Sequence, residues 1–288
     1  MAAGVKVGII GGSGFYRLAG LEGGEEVEVD TPWGAPSCPP VTGKLDGVEV
    51  VVLARHGKTH CIPPGEVPYR ANLWALRSLG VTHVVAATAC GSLREEIPPG
   101  MFVVLDSFID RTTRREQSFY SAAGLPGVCH VPMHPAFCPV LVRLATAACR
   151  HLNYSVKEGG VAVTIEGPRF SSRAESLMYR AWGADVVNMT TVPEVVLARE
   201  AGLAYTALAL PTDYDCWRDT VVDQAAVLAT FAANSERVQA VVRRLVGSIA
   251  SQDWGEAVET NRRLAEQSLV PGSEVGSRAR LVQLASNQ

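Results

Sequence analysis

Short apolar runs punctuate the chain at residues 5–10, 48–53, 81–87, 101–105, 161–165, 184–187 and 203–210. They are not strictly alternating, which is the pattern of strands covered on both faces. Between several of them the apolar positions recur at helical spacing, over 69–79, 139–152, 172–182 and 193–201. Two of these helix starts carry capping-box spacing, Ser172 with Glu175 and Thr191 with Glu194, the second reinforced by Pro193. An amphipathic helix is predicted over 225–250 and another over 254–267. Alternation of strands with helices predicts an α/β fold, a single domain around one large, mainly buried central sheet flanked by helices. No linker, repeat or low-complexity block interrupts residues 1–270, and the tail 271–288 is expected to be loosely ordered.

Composition narrows the function classes. Of the 288 residues, 47% are hydrophobic and 19% charged, and the net charge is −3, so no basic surplus points to nucleic acid or an anionic membrane. No run reaches the roughly 18 apolar residues of a spanning helix, and the first residues lack the pattern of a signal peptide. The seven cysteines contain no C-x-x-C pair and read as reduced thiols of a cytoplasmic protein, with neither a disulfide framework nor a zinc site.

In open α/β sheets ligands collect at the carboxyl ends of strands, and the unusual polar segments of this chain fall there repeatedly. Gly11-Gly12-Ser13-Gly14 lets the backbone approach an anion and adds the Ser13 hydroxyl, although a glycine turn after a first strand is more often only a tight turn. It completes neither G-x-G-x-x-G nor a P-loop, which disfavours dinucleotides and nucleoside triphosphates. Arg55 and His56 follow another strand and form a candidate cationic fork for phosphate; alone, such an arginine reads as a solvated charge. Thr88 and Thr190 stand just beyond two further strands. Ser13, Arg55, His56, Thr88 and Thr190 together make a neutral-plus-cationic set able to hold inorganic phosphate without a metal, and no His/Asp/Glu cluster has metal-ligand spacing.

The other chemistry lies in Thr212-Asp213-Tyr214-Asp215-Cys216-Trp217. Loop aspartates are commonly turn or cap residues. Here Tyr214, Cys216 and Trp217 supply an apolar setting that raises a carboxyl pKa, so that a proton can be held near neutrality and passed to a purine nitrogen.

With these loops assembled, the chain resembles the trimeric purine nucleoside phosphorylase superfamily, and within it the members that act on methylthioadenosine. The similarity runs from Val7 to about Trp217 and rests on Ala54-Arg55-His56-Gly57, Thr88-Ala89-Cys90-Gly91-Ser92, Phe108-Ile109-Asp110-Arg111-Thr112-Thr113, 164–175, 188–194 and 212–217. The resemblance implies phosphorolysis to adenine and 5-methylthioribose 1-phosphate, with no cofactor beyond inorganic phosphate as co-substrate. It implies phosphate held by Ser13, Arg55, His56, Thr88, the backbone at Ala89, and Thr190. Met189 would lie under the ribose, Phe170 on the base, and Ser171, Asp213, Tyr214 and Asp215 around the adenine. His130 resembles a histidine lent across a subunit boundary, which implies a homotrimer. Relatives acting on 6-oxopurines are expected to carry an asparagine at the place of Asp213 and a glutamate at that of Ser171, so the pattern here favours 6-aminopurines. Beyond Trp217 the likeness thins; 218–226 is about two residues shorter than in the animal enzymes, which leaves Val222 or Gln224 to line the 5′ pocket and a broader purine nucleoside phosphorylase, accepting adenosine or inosine, as the alternative. A binding protein without turnover would not need the phosphate set.

Overall fold

All the apolar runs become strands, and the reason they avoid strict alternation is their place in the sheet. The computed structural model describes residues 4–12, 18–121, 124–219 and 222–270. In chain order the elements are β1 (Val7–Gly11), β2 (Leu21–Glu26), β3 (Val41–Leu45), β4 (Val48–Ala54), α1 (Tyr69–Ser78), β5 (His83–Ser92), β6 (Phe102–Val104), β7 (Ser107–Arg111), α2 (Pro139–His151), β8 (Val156–Glu158), β9 (Val161–Ile165), α3 (Arg173–Ala181), β10 (Val186–Asn188), α4 (Thr191–Glu200), β11 (Ala204–Asp213), α5 (Gln224–Ala233), α6 (Ser235–Ala250) and α7 (Gly255–Gln267). The strands without a sequence signal, β2, β3, β7 and β8, are short, and their residues are mostly exposed or half-buried, so few of their side chains needed to be apolar.

One 11-stranded mixed sheet runs β2-β3-β4-β1-β5-β10-β9-β7, with β11 on the other edge of β5 and β6 and β8 beyond it. Strand β5 is shared in a way that makes the site. Its first residues pair in parallel with β1, ending at Ile10↔Ala86, while its last pair antiparallel with β10 at Val187↔Gly91 and Val186↔Ser92. Between them, Ala87 to Cys90 have no ladder partner on that edge. Strands β1 and β10 therefore end facing each other across a gap in the sheet. Into this gap run Gly12 from one side and Asn188, Met189 and Thr190 from the other.

Most of the buried side chains form one cluster around β1, β4, β5, β11 and the helices α1, α2, α4 and α6. Leu93, Val163, Ile165, Tyr179, Ala184 and Val187 form a smaller one under α3.

Two local expectations are corrected. The Ser172/Glu175 capping box forms, but the Thr191/Glu194 box does not. Val192 is non-helical (φ −103°, ψ 131°), and the Glu194 carboxylate is drawn to a buried arginine. The helix expected over 225–250 is broken at Asn234, which leaves α5 and α6. The expected loose tail, 271–288, lies outside the described residues.

Candidate active site

The gap opens into a cavity of about 480 Å³. It collects side chains from the ends of β1, β4, β5, β9, β10 and β11, so segments far apart in sequence become neighbours.

At one end stand Gly12, Arg55, His56, Thr88, Ala89 and Thr190. Ser13 lies outside the described residues. The Arg55 guanidinium is only 2% exposed, and its two-pronged edge is closed on Glu194: Nε donates to Oε2 at 2.6 Å and Nη2 to Oε1 at 2.8 Å. The remaining Nη1 donates to the Ala87 carbonyl at 3.0 Å and lies beside Gly12, where an added Cβ would stand 3.4 Å from it. Burial opposes the charge on Arg55, but Glu194 outweighs it and keeps the group protonated. The fork expected to be free for an anion is thus occupied; only one nitrogen is left to face the cavity.

His56, unlike Arg55, is not cationic near neutrality. Its Nδ1 lies 2.8 Å from the Ile62 carbonyl, which can only accept, so Nδ1 carries the hydrogen. Burial, reinforced by the Arg55 charge, pushes its pKa down to about 4. Near neutrality Nε2 is then an acceptor. The Thr88 and Thr190 hydroxyls, from β5 and the start of α4, meet at 3.4 Å. This end of the cavity combines hydroxyls, a single arginine nitrogen and a neutral imidazole.

At the other end β11 runs past a bulge between Pro211 and Asp213, which turns Asp213 toward Gly91 of β5. Its Oδ1 accepts from the Asp215 backbone N–H at 2.7 Å and its Oδ2 lies 2.7 Å from the Thr212 hydroxyl. Asp215 is 4% exposed and left-handed (φ 48°). Its Oδ2, like the Ser171 and Ser176 hydroxyls, makes no well-formed hydrogen bond, although both hydroxyls lie near enough to moderate the rise of its pKa. Burial raises the pKa of both aspartates, and for Asp213 the Asp215 charge adds to the rise. The pair is therefore suited to hold a proton above the usual carboxylate range.

Met189 and Phe170 line the same cavity. Gly167 approaches Met189 so closely that a Cβ there would fall 2.6 Å from its sulfur, so these two segments are packed as one wall. Gln224 and Val227 of α5 complete the lining, and Val222 does not take part.

Two expected residues are not in the cavity wall. Tyr214 lies outside it, its ring 3.7 Å from the Arg218 guanidinium and edge-on to Trp217. His130 is exposed and its backbone N–H is bonded to the Ser268 carbonyl at 2.8 Å.

The residues that sequence reasoning missed act behind this lining. Glu194 was read as a capping residue, because its spacing from Thr191 is that of a box. Tyr205, inside an apolar run, donates to Glu194 Oε1 at 2.8 Å. Arg115, in the polar stretch Thr112-Thr113-Arg114-Arg115-Glu116, has the signature of a solvated loop, yet its side chain is 1% exposed.

The sequence profile of the phosphorylase superfamily matches residues 6–247. The chain is 50% identical over 273 residues to S-methyl-5′-thioadenosine phosphorylase of Anopheles gambiae, covering 94% of this chain and 98% of the relative. With the enzyme of that name from Xenopus tropicalis it shares 49% over 271 residues, 92% and 96% of the two chains. Among solved structures, methylthioadenosine phosphorylase from Schistosoma mansoni in complex with adenine superposes with a TM-score of 0.88 at 44% identity, over 92% of this chain and 98% of that one. A mutant of adenosine/methylthioadenosine phosphorylase from the same organism, in complex with methylthioadenosine, gives 0.87 at 44%, over the same shares.

Proposed function

The chain belongs to the phosphorylase superfamily, and from that premise we propose that it cleaves S-methyl-5′-thioadenosine with inorganic phosphate to adenine and 5-methylthioribose 1-phosphate. The observation that carries this reading is the joining, in one cavity, of an anion cradle and a buried pair of aspartates with raised pKa. The names of the close relatives support the same substrate.

Phosphate rests on Thr88, Thr190, Arg55 Nη1 and the backbone at Gly12 and Ala89, and the His56 Nε2 accepts from its protonated oxygen. The ribose lies over Met189 and the base between Phe170 and the aspartates. The C1′–N9 bond breaks as a phosphate oxygen bonds to C1′ from the opposite face, and phosphate charge stabilises the cationic sugar. The pair delivers a proton to the purine N7, so that the base leaves neutral. The proton that hydrogen phosphate gives up on becoming an ester restores the balance. Phosphate is the co-substrate and no cofactor enters the scheme.

An ionised carboxylate accepts from the 6-amino group and cannot donate to a 6-oxo group, which makes 6-aminopurines the substrate class. A second reading, that adenosine is also taken, is favoured by Gln224, whose carboxamide lines the wall left after the phosphate and base groups are assigned. We read the exposed His130 as reaching a neighbour's 5′ pocket in a cytoplasmic homotrimer of single-domain chains. The test is to incubate the protein with methylthioadenosine, adenosine and inosine, each with and without phosphate, and to quantify free base. Phosphate-dependent adenine release is expected. Inosine turning over fastest would overturn the 6-amino assignment.

A further inference from the structure

Arg115 is the most fully engaged side chain near the cavity that no step of the reaction uses. Its Nη1 donates to the carbonyls of Met189 (2.6 Å) and Val192 (2.7 Å). Its Nη2 donates to the Glu166 carbonyl (2.6 Å), with that of Ile165 at 3.4 Å, and Nε to Glu166 Oε1 (3.2 Å). Glu166 in turn accepts at Oε2 from the backbone N–H groups of Thr113 (2.5 Å) and Arg114 (3.2 Å), which fixes the arginine's own loop.

These bonds fall into two groups with different meanings. Met189 and Val192 bracket Thr190, at the phosphate end. The Met189 carbonyl precedes α4, and that of Val192 is turned out of the helix by its non-helical backbone, so both can meet Arg115. Ile165 ends β9, and Glu166 follows it and leads through Gly167 into Pro168, Phe170 and Ser171, which line the base end. One planar cation thus ties the backbone of the phosphate half to that of the base half. The five donors of a guanidinium point outward in fixed directions, whereas a lysine ammonium is a single point on a flexible stem.

Resting on the function proposed above, we propose that Arg115 is a positioning residue that couples the two half-sites, so that bound phosphate tightens the hold on the base. By linkage, base then tightens the hold on phosphate by the same factor.

The test is calorimetric titration of the intact protein with adenine, with and without saturating inorganic phosphate, and the reciprocal titration. In the wild type phosphate is expected to tighten adenine binding by about fivefold or more, the lower end of ordinary coupling. In Arg115→Lys each ligand alone should bind within about threefold of wild type while the enhancement falls below about twofold, a split that a merely destabilised fold would not show. A second variant guards against misfolding: Arg115→Ala should regain the enhancement on addition of guanidinium ion but not of methylammonium, because the side chain also borders a second cavity of about 180 Å³ through which a small cation can enter. Enhancement retained in Arg115→Lys, or no selective rescue of Arg115→Ala, overturns the coupling. So does a wild type that turns over methylthioadenosine yet binds adenine equally with and without phosphate; that result leaves the function standing, whereas absence of phosphate-dependent turnover removes both.

Discussion

Arg55 and Glu194, 139 positions apart, close a two-pronged ion pair in which the side chains are only 2% and 1% exposed. Removing one member of such a pair strands the other charge in the interior, at a cost of about 3–5 kcal/mol. Glu194→Gln is therefore expected to lower the melting temperature strongly without phosphate. Added phosphate should then stabilise the variant more than the wild type, because an anion can take the place of the lost carboxylate. Equal phosphate shifts by scanning fluorimetry would show that Arg55 does not face the bound anion.

Burial holds the Asp213 and Asp215 carboxyls above their ordinary pKa. A carboxyl whose folded pKa is raised favours the folded state fully below its unfolded pKa and loses that contribution as pH rises through the folded value. Above the usual carboxylate range the ionised pair is thus a burden on the fold. Asp215→Asn should raise the melting temperature at alkaline pH, with the gain shrinking toward acid pH, while turnover falls. Melting curves that stay parallel across the pH range would contradict the raised pKa.

Asp213→Asn should cut adenine release by about 10²- to 10⁴-fold, the range of acid catalysis, and leave phosphate affinity nearly unchanged. Steady-state kinetics with each substrate varied separately decides it. Equal losses in both would make Asp213 a structural residue.

Gly91 faces the pair across the bulge, and a Cβ there would stand 2.9 Å from that of Asp215 and 3.2 Å from Asp213 Oδ1. Gly91→Ala should displace the carboxyls, costing about 1–3 kcal/mol and raising KM for nucleoside more than for phosphate. A KM rise confined to phosphate would place the base elsewhere.

Gln224→Val removes the carboxamide from the cavity wall. If that group bonds a 5′-hydroxyl, the preference for methylthioadenosine over adenosine should rise about tenfold, the effect of one unpaired polar group. An unchanged ratio of kcat/KM values would remove Gln224 from the 5′ pocket.

Much of this arrangement can be read along the chain, because strands covered on both faces leave continuous apolar runs and their polar ends stand out. Thr88, Thr190, Asp213 and Asp215 were legible for that reason. The electrostatic state of the site was not. Arg55 and His56 look cationic side by side, yet one is neutralised by Glu194 and the other is held neutral by burial and an Ile62 carbonyl, partners that only the fold brings near. The local spacing that marks a capping box at Ser172 also marks one at Thr191, where a buried arginine competes for the glutamate and wins. Arg115 gave no signal at all, because its partners are mainly backbone carbonyls, which carry no sequence.

The joining of an anion cradle to a proton-holding pair makes one central claim, that phosphate itself attacks the sugar. Phosphorus magnetic resonance of a reaction with methylthioadenosine tests it most directly. A sugar 1-phosphate signal should grow in step with released adenine as inorganic phosphate declines. Adenine appearing beside free methylthioribose, with the phosphate signal unchanged, would mean that water is the nucleophile and would contradict the account.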